Sequence, residues 1–260
     1  MQTDKNFDGL ADRFEKNIYH SAKGKLRLQI LQHDLWQTIP RLTHNKPLRI
    51  LDAGGGFGYL AKQLAAMGHQ VVLCDISQEM LSIAQQSEPP PLGSGNLQFV
   101  HAAIQSFAAA CDESFDVILC HAVLEWQVDP RQTLVILKSL LAEEGYLSLA
   151  FYNLDALKFR NLVQGNLRKI NTGCFRGEVD GLTPTNPIEP RQLYSWLQEL
   201  NYSVVSKSGI RVFYDYMRKE ARDKISFEDI LQMELTMYKH PSFLHLGRYI
   251  HLVCQSGASL

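Results

Sequence analysis

The segment Leu51-Asp52-Ala53-Gly54-Gly55-Gly56-Phe57-Gly58 constrains this chain more than any other. It follows the apolar run beginning at Leu48 and leads into a helical pattern from Tyr59 to Met67, ended by Gly68. A strand, a glycine turn and a helix in that order form half of a parallel βαβ unit. Glycines at 54, 56 and 58 let the backbone turn sharply and admit a ligand to contact distance, because no Cβ stands in the way.

The same alternation continues for about a hundred residues. Strands are predicted at 48–52, 70–75, 97–102, 115–121 and 145–152, with helices at 77–86 and 130–141, the latter capped by Asp129. Repeated strand and helix imply a mostly parallel sheet covered on both faces. Helical spacing also runs through 7–39, with a break near 19–24, while 40–47 and 89–95 read as loops. After 152 the pattern changes. Glycines and prolines without a strand signal mark 153–190 as an insertion, followed by a helix at 191–200, strands at 202–213 and 249–254, and a helix near 226–238. The expected organisation is one α/β domain with a seven-stranded, Rossmann-like sheet: a helical segment (1–46), a cofactor-binding core (47–152), a cap (153–190) and a closing part of the sheet (191–260).

No apolar run reaches the roughly 18–20 residues needed to span a bilayer, and residues 1–7 lack the apolar stretch of a secretory signal. The five cysteines are odd in number and widely spaced, with no metal-ligand pattern, so reduced thiols, no metal and a cytoplasmic setting are expected. Charge is unevenly divided: residues 48–150 hold 4 Lys/Arg against 11 Asp/Glu, while the flanks hold 22 against 16. An acidic centre with basic flanks is what a chain presents when its flanks face a polyanion.

A nicotinamide dinucleotide is the obvious rival ligand for a glycine loop. Its fingerprint needs Gly or Ala three residues after the second glycine, where this chain has Tyr59. The order acid-x-G-x-G-x-G, with Asp52 as the acid, is instead the cofactor loop of S-adenosylmethionine-dependent methyltransferases. Asp75 ends the second strand and can accept both ribose hydroxyls of an adenosine. Ile104 and Gln105 follow the third strand, where an apolar side chain can cover adenine and a polar one can read its rim. His121 closes the fourth strand beside the methionine part, and the Arg27 guanidinium suits the cofactor's own carboxylate. On this reading Gly54→Val removes binding with a near-native fold, by obstructing the ligand and by forcing a φ that valine rejects.

The whole chain resembles the bacterial tRNA 5-carboxymethoxyuridine methyltransferases, class I enzymes that esterify a modified wobble uridine. Beyond the glycine loop, the resemblance is carried by Asn17-Ile18-Tyr19, Lys23 to Arg27, Gly68-His69-Gln70, Leu73-Cys74-Asp75, His121-Ala122-Val123-Leu124-Glu125-Trp126, Phe151-Tyr152-Asn153, Gly209 to Tyr216 and Leu246 to His251. It implies S-adenosyl-L-methionine as cofactor, held by Arg27, Gly54, Gly55, Asp75, Ile104, Gln105 and His121. It also implies tRNA, through its anticodon region, as partner, with Arg168, Lys169 and Arg176 as the cations of the cap.

The implied reaction needs no general base, because a carboxymethoxy acid with a pKa of about 3–4 is already ionised at pH 7. Tyr152, Arg211, Tyr214 and Arg248 are the candidates to orient the substrate acid. Two rival functions share the cofactor site: a small-molecule carboxylate or hydroxyl O-methyltransferase, and a non-enzymatic cofactor-binding subunit. Methyl transfer to bulk tRNA rather than to small acids discriminates the first, and turnover on any RNA discriminates the second.

Overall fold

The computed structural model describes residues 3–16, 20–44, 46–87, 95–177 and 181–257. The Asn17-Ile18-Tyr19 block and most of the 89–95 loop lie outside the described residues. Helices α1 (Ala11–Phe14) and α2 (Ala22–Thr38) precede β1 (Arg49–Ala53), α3 (Tyr59–Ala66), β2 (Gln70–Asp75), α4 (Gln78–Gln86), β3 (Asn96–His101), α5 (Ile104–Ala109) and β4 (Phe115–His121). Then come α6 (Pro130–Ser139), β5 (Leu141–Tyr152), α7 (Leu154–Val163), α8 (Leu167–Thr172), α9 (Pro190–Glu199) and β6 (Tyr202–Ile210). The chain closes with α10 (Lys219–Arg222), α11 (Phe227–Met237) and β7 (Tyr249–Ser256).

One sheet of seven strands, in the order β3-β2-β1-β4-β5-β7-β6, organises the described residues. The first five strands pair in parallel, and β7 runs antiparallel between β5 and β6. Strand side chains alternate in direction, so Ile50 joins a core with α2 residues Leu26, Ile30 and Leu35, whereas Leu51 joins the opposite core with Leu134 and Leu193. Burying each such side chain stabilises the fold by about 1.5–3 kcal/mol. Strand order reverses direction between β1 and β4, and in open α/β sheets ligands bind at the carboxyl ends of the strands flanking that point. The glycine loop leaves β1 there, and His121 ends β4 there.

Local signals explain the boundaries. Ser77 Oγ accepts the Met80 N–H to start α4, and Asp129 accepts the Gln132 N–H ahead of Pro130 in α6. Helix α2 stops before Ile39-Pro40, as a residue preceding proline resists helical torsions.

The structure adds helices in two places and moves two element boundaries. The 153–190 segment contains α7 and α8, because Asn153 caps a helix whose apolar residues Ala156 and Leu157 are buried. Helix α5 follows β3 directly and was not foreseen, being only six residues long with no capping side chain. Leu141 belongs to β5 and not to α6, since it pairs with Phe115 across an irregularity in the ladder. Strand β6 stops at Ile210 and not at 213, because Arg211 adopts a left-handed backbone (φ 60°) that no strand continues through.

Candidate functional site

Three connected cavities run along the carboxyl edge of the sheet. The first, about 710 Å³ including its open mouth, lies between the glycine loop, the end of β2 and the start of α5. A second, bounded by Asp52, Gly55 and Tyr59, adjoins it at Arg27, Gly54 and His121. A third, of about 690 Å³, shares Arg27 with both and Tyr249 with the second. The Arg27 guanidinium lies 5.5 Å from the centroid of the Tyr249 ring.

Glycines 54, 56 and 58 all have positive φ, at 74°, 55° and 67°. The turn brings the Gly56 N–H 2.8 Å from one Asp75 oxygen, while the other accepts the Ser77 N–H at 2.8 Å. A carboxylate offers about four acceptor positions, so Asp75, at 8 % exposure, keeps lone pairs for a ligand in the cavity it lines. Burial pushes its carboxyl up, against the pull of those two N–H groups. Asp52 is raised to about 7 by burial and by the charge of Asp75. Gly54 is constrained by the protein itself: a Cβ there would lie 2.6 Å from Val123 Cγ2, at a φ that valine rejects. Gly54→Val therefore disturbs the loop before any ligand meets it, through the torsion that valine rejects and through the clash with Val123.

Arg27, Gly54, Asp75, Ile104 and His121 all border the first cavity, and Gly55 borders the second. Gln105 borders neither; its side-chain amide donates to Asp4 (3.1 Å) and Gln127 (3.3 Å), which do line the first. No sequence pattern marks the amino-terminal strap over this cavity. Phe7 meets Trp126 edge-on at 4.9 Å and Phe14 at 5.0 Å, and Asp4 accepts the Val128 N–H at 2.8 Å. An apolar staple of this kind shields the cavity from water.

His121 is fixed from behind by a buried chain. It hydrogen-bonds Ser148 Oγ at 2.8 Å, which bonds His251 Nε2 at 2.8 Å, and His251 Nδ1 donates to Asp34 at 2.6 Å. Asp34 also accepts from Ser208 and pairs with Lys239, and these partners hold it well below the usual carboxylate range despite its burial. Burial and the neighbouring His251 and Arg27 push the His121 imidazole well below its ordinary value, so it is neutral at pH 7 and unsuited to serve as an acid.

The third cavity differs in kind. Tyr152, Arg211 and Arg248 line it together with Lys23, Arg160 and Asp215. Asp215 Oδ2 faces Arg211 Nε at 3.0 Å and Arg248 Nε at 3.6 Å, and Oδ1 faces Lys23 at 3.6 Å. Although burial raises it, those cations hold the Asp215 carboxyl below the ordinary range. Arg248 Nη1 donates to the Tyr152 hydroxyl at 3.3 Å. The loop carrying Arg211 is held by buried Glu234, which accepts the N–H groups of Val212, Phe213 and Tyr214. Tyr214 itself does not reach the cavity; it is buried in the core with Arg222 5.0 Å from its ring centroid. That corrects its selection beside Arg211. Lys23 lay in a motif block and Asp215 stands four residues from Arg211, so both carried a signal; Arg160 carried none.

Among the described residues no group of three or more His, Cys, Asp or Glu could hold a metal ion, and no helix is long and apolar enough to cross a membrane. Residues 51–149 match the family described as "Methyltransferase domain". The fold also resembles magnesium protoporphyrin IX methyltransferase from Synechocystis PCC 6803, solved with bound SAH, with a TM-score of 0.64 at 18% identity over 96% of each chain. The sheet order, the glycine loop and this match define a Rossmann-like class I methyltransferase. Over 256 residues, 98% of each chain, the sequence is 41% identical to tRNA 5-carboxymethoxyuridine methyltransferase of Escherichia coli K12. A ubiquinone biosynthesis O-methyltransferase of Schizosaccharomyces pombe is 30% identical over 62% of this chain. The chain belongs to the tRNA 5-carboxymethoxyuridine methyltransferase family.

Proposed function

We propose that this protein transfers a methyl group from S-adenosyl-L-methionine to the carboxylate of 5-carboxymethoxyuridine at the wobble position of tRNA, in the cytoplasm, giving the methyl ester. The observation that carries this reading is the meeting, at Arg27, of an acid-bearing apolar cavity with a cationic one. The first suits an adenosine with a positively charged tail; the second suits an anionic acceptor.

The donor set fits the cofactor. Asp75 has free acceptor positions for ribose hydroxyls, Ile104 and Met80 wall the cavity where adenine would lie, and Gln105 stands behind the rim residues Asp4 and Gln127. Arg27 is suited to the cofactor's carboxylate, Gly54 and Gly55 border the cavities with bare backbone, and neutral His121 shapes the wall without adding charge. When bound, the cofactor supplies an electrophilic methyl group on a sulfonium.

The protein's contribution to the chemistry is position and dryness. Arg248, Arg211 and the Tyr152 hydroxyl would hold and orient the substrate carboxylate toward the methyl group that the cofactor would supply. That carboxylate arrives ionised, so no side chain has to remove a proton. The strap residues Phe7 and Trp126 exclude water from the cavity. Arg160, Leu182, Thr183 and Pro184 of the cap, 153–190, line the substrate side of this single catalytic unit, and the cap contributes contacts to the anticodon region.

Incubating the purified protein with labelled cofactor and tRNA carrying 5-carboxymethoxyuridine tests the reading. The expected product is a base-labile methyl ester that releases methanol in mild alkali. An alkali-stable methyl group, or turnover of small acids with none on tRNA, would overturn it.

A further inference from the structure

The cationic cavity holds more charge than a carboxylate needs. Five cations line it, Lys23, Arg27, Arg160, Arg211 and Arg248, against one acid, Asp215. Asp215 is already shared by Lys23, Arg211 and Arg248. On the proposed function, Arg27 serves the cofactor's carboxylate and the substrate acid supplies one negative charge. Two of the remaining positive charges then stay uncompensated in a partly buried space, where like charges repel far more than in water.

The surplus is localised. Arg248 and Arg211 lie deep, with side chains 6% and 10% exposed, whereas Lys23 is 47% exposed and sits toward solvent. Arg160, on α7, makes no ion pair among the described residues, and its Nε is buried without a hydrogen-bond partner among them. A buried guanidinium N–H left unpaired costs free energy unless a ligand satisfies it. Crowding shows at Lys23 too: burial lowers its ammonium, Asp215 opposes this, and Arg211, Arg160 and Arg222 lower it further. A carboxylate on a pyrimidine within an RNA strand has phosphodiesters as its nearest covalently linked anions, and a guanidinium binds phosphate oxygens bidentately.

We propose that Arg160 and Lys23 form a phosphate subsite that grips a phosphodiester flanking the modified uridine, so that the cavity reads acid and nucleic-acid backbone together. The inference rests on the proposed function and adds a specificity-determining residue to it. A free nucleoside or small acid leaves Arg160 unpaired and binds less well.

The test uses stem-loop RNAs bearing 5-carboxymethoxyuridine, with normal linkages or with a neutral methylphosphonate 5′ or 3′ to that nucleotide. With the wild-type protein, one of the two neutral linkages should raise KM about tenfold or more with little change in kcat, the loss expected for a charge-assisted contact. Arg160→Gln should raise KM for normal RNA similarly and become insensitive to that same linkage. Arg160→Lys should recover part of the loss, and cofactor affinity should match wild type in both variants. Equal KM on all three RNAs with the wild-type protein would overturn the subsite while leaving the functional reading intact. Multiplying effects of the variant and the neutral linkage would also overturn it. Absence of any methyl ester on the normal RNA would sink the functional reading and the subsite with it.

Discussion

The two main cavities of this protein solve the problem of buried charge in opposite ways. In the cofactor-side cavity the key acid, Asp75, is tied by two backbone N–H groups before any ligand arrives. In the substrate-side cavity the cations outnumber their single acid, and Arg160 keeps an unpaired N–H among the described residues. Preorganised acceptors favour affinity for a small ligand whose shape is constant. An under-compensated basic pocket favours discrimination, because anything lacking the matching anions leaves costly unpaired groups.

If Asp215 alone reconciles the cations of the basic cavity, Asp215→Asn should cost the most. Removing one partner of a buried ion pair typically costs about 3–5 kcal/mol. We expect a large fall in thermal stability that added phosphate partly restores, with cofactor affinity per folded molecule little changed. A variant as stable as wild type would show that Arg211 and Arg248 do not depend on this acid.

Asp75→Ala attacks the other side. It frees the Gly56 and Ser77 N–H groups and, on the proposed function, removes acceptors for two ribose hydroxyls. Hydrogen bonds to a charged group contribute about 1.5–3 kcal/mol, so calorimetry should show cofactor binding weakened roughly ten- to hundredfold. KM for tRNA, measured at saturating cofactor, should hold; a change there instead would dissolve the division between the cavities.

Asp52 gives the acidic cavity a pH dependence that the basic one lacks. Its carboxyl is raised to about 7, by burial first and by Asp75 second. Below that pH the native protein holds it neutral, and a cationic ligand loses its counter-charge. Cofactor affinity should therefore fall as pH drops from 8 to 6, by roughly tenfold per unit at the acid end. The stability sign is opposite. The native state binds more protons than the unfolded chain between about pH 4 and 7, so this contribution to stability is lost as pH rises through 7. Asp52→Asn should flatten the binding profile and be relatively more stable at pH 8. The rate at saturating cofactor should stay level from pH 6 to 9, since the acceptor needs no base.

Legibility differed between the cavities for a physical reason. Backbone geometry builds much of the cofactor side, and backbone geometry leaves local marks: three glycines at positive φ, an acid ending β2, a histidine ending β4. The substrate side is assembled from α2, β5, α7, the turn after β6 and the start of β7, so its charges are distant in sequence. Arg211 and Arg248 could be selected as candidates, but Arg160 had no pattern to mark it. The turn at Arg211 also explains Tyr214: a positive φ takes the chain out of strand alternation, so which way residue 214 points cannot be counted from 210. The strap at Phe7 was invisible because its partners Trp126 and Met80 lie far along the chain.

The smallest effect expected concerns charge outside both cavities. Arg168 and Lys169 sit on α8, which is short and exposed and lines neither cavity. Exposed cations act on RNA through counterion release, with each phosphate contact contributing about −0.7 to the log–log salt slope for single-stranded character. Reversing both charges should raise KM for tRNA a few-fold at moderate salt and reduce the slope by about 1.4, the equivalent of two contacts. The change should shrink as salt rises, because exposed charges are screened beyond roughly 8–10 Å. The cost of disrupting Arg160, in contrast, should persist at high salt, since its contact is enclosed. Measuring both KM values against salt thus separates attraction to any polyanion from recognition of one phosphate. Parallel salt curves for the two variants would mean that the basic cavity is only a continuation of the basic surface.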